Sequence, residues 1–202
     1  MIDKYQYVDP DYTYTDPKTG LLRNKENIDN EQLLIVFESL KCSERLEELA
    51  KTPVLIKDST SLLVIHKYIF QDVYEWAGKK RTVEISKGGR QFFRISRFDT
   101  AFSYIDKLVA EYRSIDKNDS KKTAQKLAEI LDSVNYLHPF REGNGRTQRE
   151  FLRTLAFEKG YILNLNPPDN TDVYERYMSG TIEGDVDKLA ELIGELLEKI
   201  NK

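Results

Sequence analysis

The sequence contains very little of the chemistry that builds disulfides or zinc sites. Cys42 is the single cysteine among 202 residues, and His66 and His138 are the two histidines. A single cysteine excludes an intramolecular disulfide and is typical of the reducing cytosol. So few cysteine and histidine residues also argue against a zinc site. We expect Cys42 to be a small buried filler on a helix.

Long apolar runs and a strong charge excess are missing as well. The apolar runs at 33–36 and 62–65 are far too short to span a bilayer, and residues 1–5 lack the basic and then apolar build of a signal peptide. The formal net charge is only −3, which excludes the general basic excess that non-specific nucleic-acid binding needs. These features predict a cytoplasmic protein that binds neither membranes nor nucleic acid directly.

What is present describes one globular domain with an N-terminal appendage. Hydrophobic residues make up 40% of the chain and charged residues 32%, which is typical of soluble domains. Residues 1–28 are rich in tyrosine and contain two Asp-Pro pairs and a Thr-Gly turn signal, without helical periodicity. We therefore expect an irregular arm at 1–28 that packs over a domain at 29–202.

Most of that domain predicts helices, because apolar residues recur at helical spacing. The predicted helices lie at about 30–51, 58–78, 96–112, 124–137, 144–159, 169–179 and 185–199, and Asn30 is the predicted cap of the first. One segment instead predicts a hairpin at 81–95, in which two short β-prone runs flank Gly88 and Gly89. Its unpaired edge would accept an extended peptide as an added strand. The fold predicted is an all-α bundle with a short β-hairpin.

The densest group of functional side chains is the run HPFREGNGRTQR at 138–149. Pro139 disfavours helix at the residue before it, so the upstream helix ends there. A new apolar stripe begins at Phe151, so a second helix starts at about Asn144 or Gly145. The run is therefore a loop that leads into a helix N-terminus, where unpaired backbone N–H groups bind anions.

The residue types in this loop fit phosphate chemistry. Backbone N–H groups of Gly143, Asn144 and Gly145 are predicted to converge on phosphate oxygens, and glycine allows close approach. Arg146 and Arg149 are three residues apart on one helix face, where they can neutralise further phosphate charge.

The remaining residues of the loop complete a reaction centre. Glu142 would repel a bare polyphosphate, so a hard cation, normally Mg²⁺, is expected between them. His138 is placed to take a proton from an incoming hydroxyl. Phe140 is interpreted as the structural anchor that pins the loop to the core. Together these residues predict transfer of a phosphorus-containing group from a nucleotide to an alcohol.

The same run reproduces the HPFx(D/E)GNGRxxR signature of the Fic-domain family without a mismatch, and the chain from about 62 to about 199 resembles a Fic domain. The resemblance implies AMP transfer from ATP to a Ser, Thr or Tyr hydroxyl of a target protein. It implies that His138 is the base, that Glu142 holds Mg²⁺, that Gly143 to Gly145 cradle phosphates, and that Arg149 grips the γ-phosphate.

The family resemblance also assigns roles outside the motif. The hairpin at 81–95 resembles the flap that aligns the target, with Ser86, Lys87, Gly88 and Gly89 at its tip. Tyr177 and Met178 are candidates for the adenine pocket. His66 is interpreted as a core residue or as a support behind the site, not as part of the chemistry.

A further resemblance concerns regulation. A tyrosine-rich leader with Asp-Pro pairs also precedes short bacterial Fic toxins, which implies a separate small antitoxin that supplies an inhibitory glutamate from an (S/T)xxxE(G/N) helix. Residues 179–184 match this short pattern, but they resemble the junction to the last core helix, so we predict no built-in inhibitor. The implied targets are ATPase subunits of bacterial type II topoisomerases.

Two other functions stay open at this point. A phosphotransferase on the same scaffold would transfer the γ-phosphate instead of AMP, and a catalytically idle module would bind a nucleotide without forming a covalent product. Removal of AMP is a third possibility, which ranks below transfer. The intact His138, Glu142 and Arg149 favour an enzyme over a binding module.

Overall fold

The computed structural model describes residues 5–200 and is predominantly helical. Residues 1–4 of the predicted arm and the last two residues of the predicted domain lie outside this range. The helices are α1 Glu31–Lys51, α2 Ser61–Phe70, α3 Phe98–Ser114, α4 Ser120–Leu137, α5 Asn144–Glu158, α6 Thr171–Glu183 and α7 Val186–Leu196, with a 3-10 turn at Ile95–Arg97 before α3. The strands are β1 Gln6–Tyr7, β2 Ile85–Lys87, β3 Arg90–Gln91, β4 Tyr161–Ile162 and β5 Glu198–Lys199.

Helix α4 forms the centre of the bundle. It contacts α3, α5, α6 and α7, which between them cover most of its surface. Its buried residues include Leu127, Ala128, Ile130, Leu131, Val134 and Leu137, at the spacing that the sequence predicts. Because α4 ends directly before the motif run, this packing fixes the position of the residues that follow it.

Side-chain caps set several helix starts. The Asn30 side chain accepts a hydrogen bond from the backbone N–H of Leu33 at 3.0 Å, which confirms the predicted cap of α1. Asp119 and Asp185 cap α4 and α7 in the same way. Each cap satisfies one N–H group that the helix itself leaves without a partner.

The helix predicted at 58–78 is wrong at its C-terminal end, because α2 stops at Phe70. The backbone N–H of Gly78 donates to His66 Nδ1 at 2.8 Å. A continuous helix would carry Gly78 about 18 Å beyond His66, so this bond requires the chain to turn back. The turn also stacks Tyr74 on Trp76, with ring centroids 4.2 Å apart.

The predicted hairpin forms, but with shorter strands and in a larger sheet. Strands β2 and β3 pair antiparallel around Gly88 and Gly89, while most of 81–84 and 92–95 lies outside the ladder. Strand β1 of the arm pairs with the other edge of β2, so the sheet order is β1-β2-β3. A second antiparallel pair, β4 with β5, was not predicted, since two-residue strands carry no readable alternation.

The remaining expectations differ only in detail. Helix α6 runs four residues further than predicted, from 171 to 183, and α7 ends at Leu196. Cys42 is buried on α1 and free, as expected. None of the helices within residues 5–200 combines the length and the apolar character that crossing a membrane requires.

Candidate active site

The motif residues 138–143 form the loop between α4 and α5. Helix α4 closes with the N–H of His138 donating to the oxygen of Val134 at 3.1 Å, and His138 itself adopts a left-handed backbone (φ 45°, ψ 61°). Left-handed geometry at a residue with a side chain costs about 1–2 kcal/mol. The surrounding contacts must therefore hold the imidazole where it lies.

The stacked rings of Phe140 and His66 anchor this loop to the core. Phe140 is buried and stacks on His66, with ring centroids 3.8 Å apart. Since the Gly78 N–H donates to His66 Nδ1, the proton of His66 is on Nε2, which donates to the oxygen of Glu142 at 3.0 Å. Burial lowers the pKa of His66 to about 3, so this arrangement is kept at neutral pH. His66 thus supports the loop from the core.

The Asn144 side chain holds the loop through two hydrogen bonds to the backbone of Phe140. Its Oδ1 accepts from the N–H of Phe140 at 3.0 Å, and its Nδ2 donates to the oxygen of Phe140 at 2.8 Å. Both residues are buried, so these two bonds give partners to a backbone N–H and a backbone carbonyl that would otherwise be unsatisfied. Sequence reasoning considered only the backbone N–H of Asn144 and missed the role of its side chain.

Gly143 is required where α5 begins. It has φ 83°, and a Cβ atom added here would lie 2.2 Å from Cζ of Phe70. Its N–H donates to Oε1 of the preceding residue, Glu142, at 2.9 Å. Within residues 5–200, no backbone acceptor pairs with the N–H groups of Asn144, Gly145 and Arg146 in the first turn of α5, because the first N–H groups of a helix have no acceptor within it.

The imidazole of His138 has a defined proton position. Its Nδ1 lies 2.9 Å from the main-chain oxygen of Asn135, which can only accept, so Nδ1 carries the proton. Nε2 therefore presents a lone pair, and the hydroxyl of Tyr5 donates to it at 2.7 Å. The ring of Phe92 stacks on the imidazole at 3.7 Å, and burial lowers the pKa of His138 to about 3. At neutral pH the residue is a neutral proton acceptor.

Arg81 ties the base of the hairpin to this loop, and sequence reasoning missed it. Its Nε donates to the oxygen of His138 at 2.9 Å, and its guanidinium also donates to the oxygens of Val83 and Phe93. The side chain is fully buried, and burial lowers its pKa. A signal was available, because Arg81, Val83 and Ile85 alternate on the buried face and a buried arginine needs such partners.

The two motif arginines have different surroundings. Arg146 forms an ion pair with Glu38 of α1 at 2.5 Å and lies over the ring of Phe70. Arg149 lies 5.6 Å from the ring centroid of Tyr174 and 5.4 Å from that of Tyr177, and within residues 5–200 no carboxylate pairs with it. Both arginines border a cavity of about 380 Å³. Of the two, Arg149 is the one whose positive charge is not neutralised by a carboxylate of the described residues, so it can bind an anion.

Glu142 presents a carboxylate beside the N-terminus of α5. Burial raises its pKa, as does the neighbouring Glu38, while the Gly143 N–H acts in the opposite direction. Arg141 approaches within 3.9 Å. The described residues contain no group of three or more acidic, histidine or cysteine side chains able to hold a metal ion by themselves. A single carboxylate next to an anion site fits Mg²⁺ whose other ligands are phosphate oxygens and water.

The predicted flap tip lies above this centre, but one edge of β2 is already occupied. Ser86 and Lys87 belong to β2, and Gly88 and Gly89 form the turn with φ 56° and 75°. Ser86 pairs with Gln6 of the chain's own arm, so the β2 side of the hairpin is not the unpaired edge that the sequence predicts, and the edge strand on the hairpin side of the sheet is β3. The physical reason is that the arm satisfies the backbone groups that a target peptide would otherwise pair with.

Of the two candidates for the adenine pocket, Tyr177 contacts the motif helix. Tyr177 is buried, and its hydroxyl accepts from the Gln148 side chain, while Met178 is half-buried. Glu183, in the segment that matches the inhibitory pattern, pairs with Lys188 and accepts from Ser179 at 2.7 Å. It therefore does not contact Arg149.

Comparisons with known proteins place this geometry in a family. Residues 57–156 match the family described as Fic/DOC. The chain is 34% identical over 183 residues to "Probable protein adenylyltransferase y4lH" of Sinorhizobium fredii, covering 89% of this chain and 93% of that protein. It is 38% identical over 152 residues to "Protein adenylyltransferase VbhT" of Bartonella schoenbuchensis, covering 75% of this chain but 32% of that longer protein.

Solved structures confirm the fold. The N-terminal Fic domain of a Bartonella quintana effector, solved with bound ADP, superposes with a TM-score of 0.81 at 22% identity and covers 93% of this chain and 95% of that one. BepC of Bartonella tribocorum, solved with bound AMPPNP, gives 0.82 at 19% identity and covers 95% and 98%. The predicted all-α Fic fold with a hairpin is therefore confirmed, and the chain belongs to the Fic/DOC family.

Proposed function

We propose that this protein is a protein adenylyltransferase, which transfers AMP from ATP to a Ser, Thr or Tyr hydroxyl of a target protein. The observation that carries the proposal is the proton arrangement of His138. Its Nε2 lone pair already accepts a hydrogen bond from a hydroxyl, while Nδ1 is held by Asn135. A neutral imidazole in this state is a general base for an attacking alcohol.

The start of α5 binds the nucleotide phosphates in this proposal. The N–H groups of Asn144, Gly145 and Arg146 point out of the first turn, where the helix dipole adds a favourable field for anions. Arg149 takes the γ-phosphate, which is supported by its lack of an ion pair within residues 5–200. Arg146 contributes less than the sequence suggests, because Glu38 already neutralises it.

Glu142 would hold Mg²⁺ together with the phosphates. When bound, the ion neutralises charge that develops on the phosphate oxygens and the leaving pyrophosphate. Glu142 is suited to this because its backbone is fixed by His66 and its carboxylate lies beside the helix start. His138 removes the proton from the target hydroxyl, and the target oxygen forms the new bond to the α-phosphorus as pyrophosphate leaves.

The proposal extends to a small partner and to a class of target. We propose that a separate antitoxin supplies a glutamate from an (S/T)xxxE(G/N) helix to Arg149, and that the targets are type II topoisomerase ATPase subunits. Support comes from the free charge of Arg149 and from the pairing of Glu183 with Lys188. Expression of the chain in a bacterial host should arrest growth, whereas the His138→Ala variant should not. Growth without arrest in both cases would contradict the toxin role.

The activity itself is tested with ATP labelled at two positions. Purified chain and its His138→Ala variant are incubated with bacterial lysate, Mg²⁺ and ATP radiolabelled at the α or the γ phosphate. A protein band labelled only from the α position, and absent with the variant, supports AMP transfer. A band labelled only from the γ position supports a phosphotransferase, and nucleotide binding with no labelled band supports a binding module.

A further inference from the structure

A cavity lies beside the motif helix α5, between α1 and the segment that follows β4. Its volume is about 380 Å³, which falls within the range of sites for small organic molecules, about 300–1,000 Å³. Leu46 and Ala50 line it from α1, and Leu163 and Leu165 line it from the segment after β4. Arg149 of α5 borders it as well. Because Arg149 takes the γ-phosphate in the proposed function, the cavity begins where the bound ATP would end.

Three arginines of α5 border this cavity, but the described residues leave only one of them without a carboxylate. Arg146, Arg149 and Arg153 are spaced three and four residues apart, on one face of the helix. The Arg153 guanidinium donates to both carboxylate oxygens of Glu150, at 2.7 Å each, and Arg146 pairs with Glu38. The cavity therefore favours one anionic group at Arg149 and an uncharged group beyond it.

The part of the cavity away from Arg149 carries groups that suit a nucleobase. Phe157 lies about 12 Å further along α5, and its ring is 49% exposed, so it can stack on a base. Asn164 Oδ1 accepts from the N–H of Asn166 at 3.0 Å, and within residues 5–200 the amide nitrogens of both side chains have no hydrogen-bond partner. Side-chain amides pair with the polar edge of adenine. Together these groups offer stacking and hydrogen bonds to a nucleoside.

We infer that this cavity receives the second nucleoside of a dinucleoside polyphosphate, so that the protein also accepts such a molecule as an AMP donor. The inference rests on the proposed function, which places the γ-phosphate of ATP at Arg149. Diadenosine triphosphate is ATP with a second adenosine joined to that γ-phosphate. With its third phosphate at Arg149, the second adenosine extends into the cavity.

The same reaction centre serves this donor. The target hydroxyl oxygen forms a bond to the α-phosphorus, the bond from that phosphorus to the oxygen bridging to the β-phosphate breaks, and the hydroxyl proton passes to Nε2 of His138. The products are the AMP-modified target and ADP, where ATP would release pyrophosphate. The two donors therefore differ only in their leaving group.

The charge pattern favours a second nucleoside over a longer phosphate tail. A γ-phosphate that carries adenosine is a diester with one negative charge, which Arg149 matches. A fourth phosphate, as in adenosine tetraphosphate, would enter the cavity beside Arg146 and Arg153, whose charges Glu38 and Glu150 already neutralise. Burying such an unpaired charge is unfavourable.

The test compares three donors tritiated in adenine: ATP, diadenosine triphosphate and adenosine tetraphosphate. Purified chain and Mg²⁺ are incubated with each donor and with bacterial lysate freed of small molecules. Hexokinase and glucose accompany the two donors other than ATP, so that any ATP formed by lysate enzymes is removed. Ala50→Phe fills the cavity from α1, and Ala110→Phe, at an exposed alanine of α3 that does not line the cavity, is the matched control.

We expect the wild type to label the same protein bands from ATP and from diadenosine triphosphate. Ala50→Phe should lower the initial rate with diadenosine triphosphate by about 10-fold and the rate with ATP by less than about 2-fold, because only the larger donor enters the cavity. Ala110→Phe should change neither rate. Half-maximal labelling should require more adenosine tetraphosphate than diadenosine triphosphate.

The outcomes separate this inference from the proposed function. Label from ATP but none from diadenosine triphosphate overturns the inference and leaves the proposed function in place. An unchanged rate with diadenosine triphosphate in Ala50→Phe, an equal loss with both donors, or a preference for adenosine tetraphosphate also overturns it. If no donor labels any band, the proposed function fails and the inference falls with it.

Discussion

The Nε atom of Arg81 lies 2.9 Å from the main-chain oxygen of His138. In addition, the backbone N–H of Arg81 donates to the oxygen of Pro139 at 2.7 Å. A residue at the base of the hairpin thereby fixes the two consecutive peptide units that follow His138, the catalytic candidate with the left-handed backbone. Flap and motif loop are thus one connected unit, joined through a buried guanidinium.

Arg81→Lys should lower the rate of AMP transfer with little change in the KM for ATP. Lysine has no fork of donors, so it cannot hold the oxygens of His138, Val83 and Phe93 together, and the imidazole loses its alignment. Misplacement on this scale costs about 10- to 100-fold in rate. Steady-state kinetics measure the effect, with Arg94→Lys, an exposed neighbour, as the control. Equal rates for the two variants would contradict the positioning role.

Gly143→Ala should destabilise the fold far more than Gly20→Ala. Both glycines have a positive φ, of 83° and 71°, so both substitutions carry a backbone cost of about 1–2 kcal/mol. Only at position 143 would the new Cβ also collide, with Phe70 at 2.2 Å, whereas nothing lies within 4 Å at Gly20. Urea unfolding should show a loss at Gly143 that exceeds the loss at Gly20 by at least about 1 kcal/mol. Similar losses of unfolding free energy in the two variants would show that the Phe70 side chain moves aside at little cost.

Substitution of Arg146 should mainly reduce stability, whereas substitution of Arg149 should mainly reduce nucleotide binding. Arg146→Ala leaves Glu38 without its ion pair in a mostly buried position and should reduce the free energy of unfolding by about 1–3 kcal/mol. Arg149→Ala removes contacts to two tyrosine side chains and should cost less than about 1 kcal/mol. Calorimetry should find the larger loss of ATP affinity for Arg149→Ala. The reverse order of affinity losses would contradict the assignment of Arg149 to the γ-phosphate.

Acidification should weaken the fold through His66. Its pKa is lowered to about 3 by burial, below the ordinary value of about 6.5. Between these values the unfolded chain binds a proton that the folded chain does not, so stability falls as pH falls. Linkage gives a loss of about 2 kcal/mol from His66 between about pH 7 and pH 5.

The variant His66→Gln isolates this contribution. Glutamine does not titrate, and His138 is present in both proteins, so the difference between their pH profiles reports His66 alone. We expect the variant to lose about 2 kcal/mol less than the wild type over the same pH range. Parallel profiles, measured by urea unfolding at each pH, would show that His66 is not buried in its neutral form.

The sequence predicted well the features that depend on neighbours in the chain. The cap at Asn30 and the central helix before His138 follow from local chemistry and 3.6-residue spacing, and the structure has both. The short motif 138–149 likewise sets a loop between two helices, because Pro139 and Gly143 act on their immediate backbone. Each of these features is determined by residues that are close together in the sequence.

Contacts between segments that are distant in the sequence could not be predicted, for physical reasons. The pairing of Gln6 with Ser86 rests on a two-residue strand, which is too short to show alternation. The ion pair between Glu38 and Arg146 depends on how α1 packs against α5, and many exposed charges on α1 looked equally suitable. The bond between Tyr5 and His138 follows from both the arm and the flap, so no local pattern indicated it.

The measurement that tests the central claim most directly is the mass and position of the group attached to a target protein. A labelled lysate band would be digested and sequenced by tandem mass spectrometry after reaction with the wild type and with His138→Ala. The account predicts AMP, attached through its phosphate to a Ser, Thr or Tyr oxygen, with the wild type alone. A phosphate without adenosine at that oxygen, or an equal yield with His138→Ala, would contradict it.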